Sequence, residues 1–149
     1  MRYVHTNIVA EDWRRLADFY TQVFGCTSVP PERDLSGEWL DRATGLEGAH
    51  IRGVHLRFPG HGEDGPTLEI FQYNADPERS PPQANLPGLG HLAFSVEDVD
   101  AVRDAVLGAG GGEVGEVVNV EIAGVGGPEF AYFMDPEGNI IEVQRITRS

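Results

Sequence analysis

Lysine is absent from this 149-residue chain, and all 11 basic residues are arginine. A Schiff-base mechanism through a lysine amine is therefore closed to it. Cysteine is nearly absent as well. The single Cys26 excludes an intrachain disulfide and fits a reducing compartment, so the cytoplasm is the expected location. Positive charge is scarce: 11 basic residues stand against 24 acidic ones. Nucleic acid and anionic membrane surfaces both need a positive face, so neither is expected as a partner. No stretch approaches the ~18 consecutive apolar residues of a membrane span. The opening "MRYVHTNIVAEDWRR" turns polar too early for the apolar core of a signal peptide. The apolar share, 40%, suffices for a packed core, in one domain or in two small modules that share it.

The chain does contain a repeat. "VHTNIVAED" (4–12) is answered by "GHLAFSVED" (90–98): laying His5 on His91 brings Ile8 onto Phe94, Glu11 onto Glu97 and Asp12 onto Asp98. Each copy reads as a strand followed by an amphipathic helix. Asp12 and Asp98 are the expected N-caps, although Arg15 occupies the place where a full capping box has Glu or Gln. Trp13, Leu16, Phe19, Tyr20 and Val23 fall at helical spacing and Gly25 ends the first helix. Val99, Val102, Ala105 and Val106 form the second apolar face, which stops in "GAGGG" (108–112). Strands are expected at 49–60 and 66–73 after the first helix, and at 115–124, 128–135 and 139–146 after the second. The predicted fold is α+β, with two βαβββ modules at 1–73 and 89–149 joined by a Pro- and Asn-rich linker at 74–88. The first module is longer because "DLSGEWLDRATGLEG" (34–48) adds a short inserted helix carrying Trp39 and Leu40.

Strand side chains alternate in direction. Ile8 and Phe94 belong against the helices, so His5 and His91 point to the other face. "TLEIFQY" and "NIIEVQRI" place Glu69 and Glu142 at matching positions of each module's last strand. A buried carboxylate needs a partner. Two imidazoles and two carboxylates form a ligand set for one divalent ion, Zn, Ni, Co, Mn or Fe. Four ligands of an octahedral shell leave two adjacent positions for a bidentate substrate. His50, His55 and His61 have no counterparts in the repeat and are not assigned as ligands; His61 falls in the turn "HGEDG".

"HTNIVAEDWRRLADFYTQVFG" (5–25), "LEIFQY" (68–73), "GHLAFSVEDVDAV" (90–102) and "FMDPEGNIIEV" (133–143) together resemble the vicinal oxygen chelate superfamily, which includes glyoxalase I, methylmalonyl-CoA epimerase, extradiol dioxygenases and bleomycin resistance proteins. The resemblance implies paired βαβββ modules forming an incomplete, cup-shaped mixed β-barrel with the helices outside. It implies one divalent metal held by His5, Glu69, His91 and Glu142, the pattern most similar to glyoxalase I. Methylmalonyl-CoA epimerase usually has Gln where Glu69 stands. A departure from glyoxalase I is "NVEIAGVGGPEF" (119–130), which has no basic residue where that family has a Lys-Gly stretch. Arg14, Arg15, Arg52 and Arg57 remain as sources of positive charge.

The implied activity is that of a metal-dependent lyase or isomerase acting on a small carbonyl or thioester substrate through a metal-chelated enediolate. Glu142 or Glu69 is the expected base. Asn7, Phe71, Tyr73, Ser95 and Gln144 are the candidates for the pocket lining, with Phe71 the one that reads better as ordinary core. An Fe(II) extradiol-type dioxygenase and a non-catalytic, drug-binding protein of the same fold are the alternatives. Exposed strand edges around a half-open barrel make a homodimer the expected assembly.

Overall fold

The computed structural model describes residues 1–75, 77–121, 123 and 126–147. The chain divides into two compact units, Met1–Glu78 and Arg79–Ser149. The architecture is α+β, and each unit builds its own mixed sheet.

In the first unit, β1 (His5–Val9) leads into α1 (Trp13–Phe24). The helix starts where expected because the Asp12 side chain accepts a hydrogen bond from the backbone N–H of Arg15. It stops at Gly25, whose φ of 69° lies in the left-handed region that favours glycine. Trp13, Leu16, Phe19 and Tyr20 form its buried stripe. Leu16 and Tyr20 are fully buried, each contributing on the order of 1.5–3 kcal/mol of apolar burial. The rest of the unit is β2 (Thr27–Ser36), α2 (Glu38–Thr44), β3 (His50–Arg57) and β4 (Thr67–Tyr73), and the sheet order is β1-β4-β3-β2. Strand β1 runs parallel to β4, while β4, β3 and β2 are antiparallel neighbours.

The two faces of this sheet are covered differently. Leu68 and Ile70, with Val54 and Leu56, are buried on the α1 side. On the opposite face α2 inserts Leu40 among Ala49 and Ile51, with Leu35, Phe71 and Tyr73 packed against them. The inserted helix expected from 34–48 is therefore shorter than that segment: Asp34, Leu35 and Ser36 remain in β2, paired with Arg52, Ile51 and His50. Leu35 opposite Ile51 feeds the same apolar cluster as Leu40, which keeps these residues extended until Gly37.

The second unit repeats the plan with β5 (Leu92–Ser95), α3 (Val99–Gly108), β8 (Gly127–Met134) and β9 (Ile140–Thr147). Asp98 caps α3 through the backbone N–H of Ala101. Strand β5 is parallel to β9, and β9 is antiparallel to β8. The turn from β8 to β9 is organised by buried Asp135, whose Oδ1 accepts from the backbone N–H groups of Glu137 and Asn139.

The strand expected at 115–124 is not continuous. Two short pieces, β6 (Gly112–Glu113) and β7 (Val118–Asn119), lie along the same edge of β8; Ile122 and Gly124 lie outside the described residues. The interruption is itself a repeat. In β2 the four positions from Val29 to Arg33 advance the pairing by only two, from His55 to Gly53. Between Glu113 and Val118, five positions advance the pairing by three, from Phe133 to Phe130. Both outer strands thus carry a two-residue bulge.

Gly53 lies opposite Phe71, and a Cβ there would stand 2.0 Å from the Ile70 carbonyl oxygen and 2.8 Å from Phe71 Cδ1. Backbone cannot yield as a side chain can. Gly53→Ala is expected to destabilise the chain by about 1–3 kcal/mol, read as a lowered urea midpoint at unchanged slope. An unchanged midpoint would contradict that packing.

Candidate metal centre

Parallel pairing of first and last strands brings a histidine to a glutamate in each unit. On β1, Asn7 is the register partner of Glu69, and His5 is one step before it on the same face. His5 Nε2 lies 2.7 Å from Glu69 Oε2. In the second unit Ala93 is the register partner of Glu142, and His91 stands just before β5. His91 Nε2 lies 2.9 Å from Glu142 Oε2. The two arrangements are the same construction made twice.

Both glutamates are largely withdrawn from water, with side chains 11% and 19% exposed for Glu69 and Glu142. Their histidines are more open, at 42% and 36%, so each pair has a shielded carboxylate and an imidazole reachable from solvent. Each pair stands at ordinary hydrogen-bond distance, and the residue types suit a divalent ion of borderline softness. The donor sets fit the group that the sequence implies. Among the described residues, no three His, Cys, Asp or Glu side chains form a ready ligand cluster, so each His–Glu pair stands as a pair of donors.

Beside the first pair stands a residue that the sequence reading left unassigned. His55 on β3 is the register partner of Glu69, and its Nε2 lies 3.0 Å from Glu69 Oε1. Glu69 is thus held by imidazoles at both oxygens. Burial lowers the His55 pKa, and the nearby Arg33 and His5 act in the same direction against the opposing pull of Glu69. The sequence signal for His55 is partial: folding the hairpin about Glu63, the centre of "HGEDG", sets residue 57 opposite residue 69, on the same face as residue 55, the observed partner. In the second unit Tyr132 takes the corresponding place as register partner of Glu142, with its ring 5.2 Å from that of His91. Burial, assisted by the Glu142 charge, raises the Tyr132 pKa.

The expected lining residues fall on these faces. Asn7 and Phe71 flank Glu69, and the Phe71 ring lies 5.6 Å from that of His55. Phe71 and Tyr73 also belong to the Leu40 cluster, so the α2 cover and the His–Glu pair share one face of the sheet. Ser95 and Gln144 are register partners on the Glu142 side. His50 is on the opposite face of β3 and pairs with Asp34, whose carboxyl is held below its usual range by that contact. His61 is exposed in its turn.

Of the arginines, Arg14 is committed to Glu32 through two contacts of 3.0 and 3.1 Å and stacks over Trp13. Arg52 occupies the opposite face of β3 from His55 and Arg57. Arg57 shares the Glu69 face, and its buried Nε has no hydrogen-bond partner among the described residues.

A mixed-sheet βαβββ repeat defines a fold class, and comparison with known proteins gives the family. The profile of the Glyoxalase/Bleomycin resistance protein/Dioxygenase superfamily matches residues 2–143, and the chain belongs to this family, the vicinal oxygen chelate superfamily. A probable lactoylglutathione lyase of Vibrio cholerae is 28% identical over 95% of this chain and 88% of its own length. A second protein of that description, from Vibrio parahaemolyticus, is 26% identical with the same coverage. Among solved structures, a glyoxalase family protein from Bacillus cereus superposes with a TM-score of 0.73 at 22% identity, covering 97% of this chain and 92% of that one. A glyoxylase/bleomycin resistance protein/dioxygenase domain from Frankia sp. gives 0.63 at 16% identity, covering 100% and 93%. These two structures support the fold.

The two His–Glu pairs are unequal in their contacts. Glu69→Ala strips the acceptor from two imidazoles, whereas Glu142→Ala strips it from His91. In metal-free protein the Glu69 change is expected to cost about 1–3 kcal/mol and the Glu142 change less, compared by urea unfolding. Equal losses would show that the second imidazole contact on Glu69 adds nothing.

Proposed function

We propose that this chain is a divalent-metal-dependent lyase or isomerase of the glyoxalase type, acting on a small carbonyl compound or thioester. The observation that carries this reading is the doubled pair: a first-strand His Nε2 against a last-strand Glu Oε2, at 2.7 Å in one unit and 2.9 Å in the other. His5, Glu69, His91 and Glu142 are its ligands for one ion, whether the two pairs come from one chain or from two. The Vibrio relatives, named as probable lactoylglutathione lyases, make a glutathione thioester the first substrate to try. Arg57 is a cation on the Glu69 face that suits such an anion.

A bound divalent ion would supply Lewis-acid stabilisation of negative charge developing on the substrate's oxygens. The chain supplies the rest. Glu142 or Glu69 takes the proton from the carbon beside the carbonyl and returns it to the neighbouring carbon or to the opposite face. Both carboxylates are largely withdrawn from water, which limits competition from solvent for that proton. Asn7, Ser95 and Gln144 orient substrate oxygens, and Phe71 and Tyr73 with the α2 cover limit water on the Glu69 side.

Titration with Ni²⁺, Co²⁺, Mn²⁺ and Zn²⁺ is expected to reach about one ion per His5–Glu69–His91–Glu142 set, as for a mononuclear site. Glu142→Gln should keep the fold and an oxygen for the metal, yet lose roughly 10²–10⁴-fold in exchange of the substrate's α-hydrogen with deuterated solvent if Glu142 is the base. Wild-type exchange rates in that variant transfer the role to Glu69. Absence of stoichiometric metal binding in the wild type overturns the proposal.

The proposed assembly is a homodimer, supported by the exposed Tyr3, Val4 and Val9 around β1, the edge strand of the first sheet. Light scattering at micromolar concentration is expected to return twice the chain mass of 16.2 kDa, and a monomer mass refutes it.

A further inference from the structure

His55 has no part in the reading above, yet it makes one of the two contacts that hold Glu69. A carboxylate accepts and does not donate, so the imidazole must supply the hydrogen at Nε2. The contact runs from Nε2 to Oε1 at 3.0 Å, on the opposite oxygen from the His5 contact. The His55 ring is itself confined. Phe71 lies 5.6 Å from it at an interplanar angle of 58°, and the His5 ring stands edge-on at 6.2 Å. Gly53, the next residue of β3 on that face, has no Cβ, and this lets Phe71 lie close against the strand.

We propose that His55 is a positioning residue for Glu69: by donating Nε2–H to Oε1 it fixes the carboxylate so that Oε2 alone is presented beside His5. The second unit provides the internal comparison. The register partner of Glu142 is Tyr132, a phenol where the first unit has an imidazole. The repeat is therefore broken at one chosen place, and Glu69 becomes the fixed carboxylate of the two. A carboxylate on a flexible stem loses less freedom when it binds an ion if one oxygen is already tied, and such outer contacts are commonly worth 10–100-fold in metal affinity.

The consequence for metal affinity rests on the reading under Proposed function; the placement of the proton does not. The first measurement therefore uses metal-free, ¹⁵N-labelled protein. Ring ¹⁵N shifts are expected to show His55 protonated at Nε2, with a slowly exchanging Nε2–H that becomes fast in Glu69→Ala. A bare Nε2 in the wild type overturns the proposal whether or not the protein binds metal. The second measurement is metal affinity. His55→Ala is expected to weaken binding 10–100-fold, and His55→Gln, whose amide nitrogen reaches the place of Nε2, to recover most of that loss. The Co²⁺ spectrum should be the same in wild type and His55→Gln. Equal losses in both variants with an altered Co²⁺ spectrum make His55 a direct ligand and overturn the proposal, as does wild-type affinity in His55→Ala. A wild type that binds no metal removes the functional reading while the ¹⁵N result still decides the role of His55.

Discussion

In each unit the first strand lies parallel to the last, and the remaining elements are arranged around that pairing. Parallel neighbours cannot be joined by a tight turn, so the chain must cross over, and it does so through a helix and two further strands. This detour places residues distant in sequence side by side: Asn7 beside Glu69, Ala93 beside Glu142. A histidine one step earlier then meets that carboxylate. The chemistry of both pairs follows from strand register, which one residue of slippage would destroy by turning every side chain to the other face.

The sheet of the first unit separates two kinds of environment. Its α1 side is an ordinary apolar core. Its other side grades along the strands, from Arg57 through His55 and Glu69 to Phe71, Tyr73 and the Leu40 cluster. The inserted helix thus covers an apolar cluster on the same face that carries the carboxylate. The second unit has no such insertion, and there the face beside Glu142 carries Tyr132, Phe130 and Gln144.

Much of this was legible in the sequence, for identifiable reasons. Asp12, Asp98 and Gly25 mark helix ends by local hydrogen bonding and backbone conformation, and local rules suffice for them. The His and Glu positions were readable because alternation along a strand is strict and the chain states it twice. The outer strands were less legible. Strand β2 begins "TSVPPERD", a polar edge sequence with two prolines and no alternation, and β6 and β7 are two residues each. Edge strands owe their form to the neighbour they pair with, which single-sequence reading does not see. His55 is not legible as an isolated residue, because its place is set by the hairpin that folds it onto Glu69.

The bulge shared by β2 and the β6–β7 pair lies on the outer edge of each sheet. An incoming strand reads an edge as an evenly spaced row of donors and acceptors. At β2 that row is broken, since Pro30 and Pro31 have no N–H to offer and the bulge puts Val29 and Arg33 out of step. In the second unit the gap between β6 and β7 breaks it again. Each sheet is therefore poor at recruiting a stray strand on that side, and a chain with so acidic a surface gains a second, directional safeguard against forming fibrils.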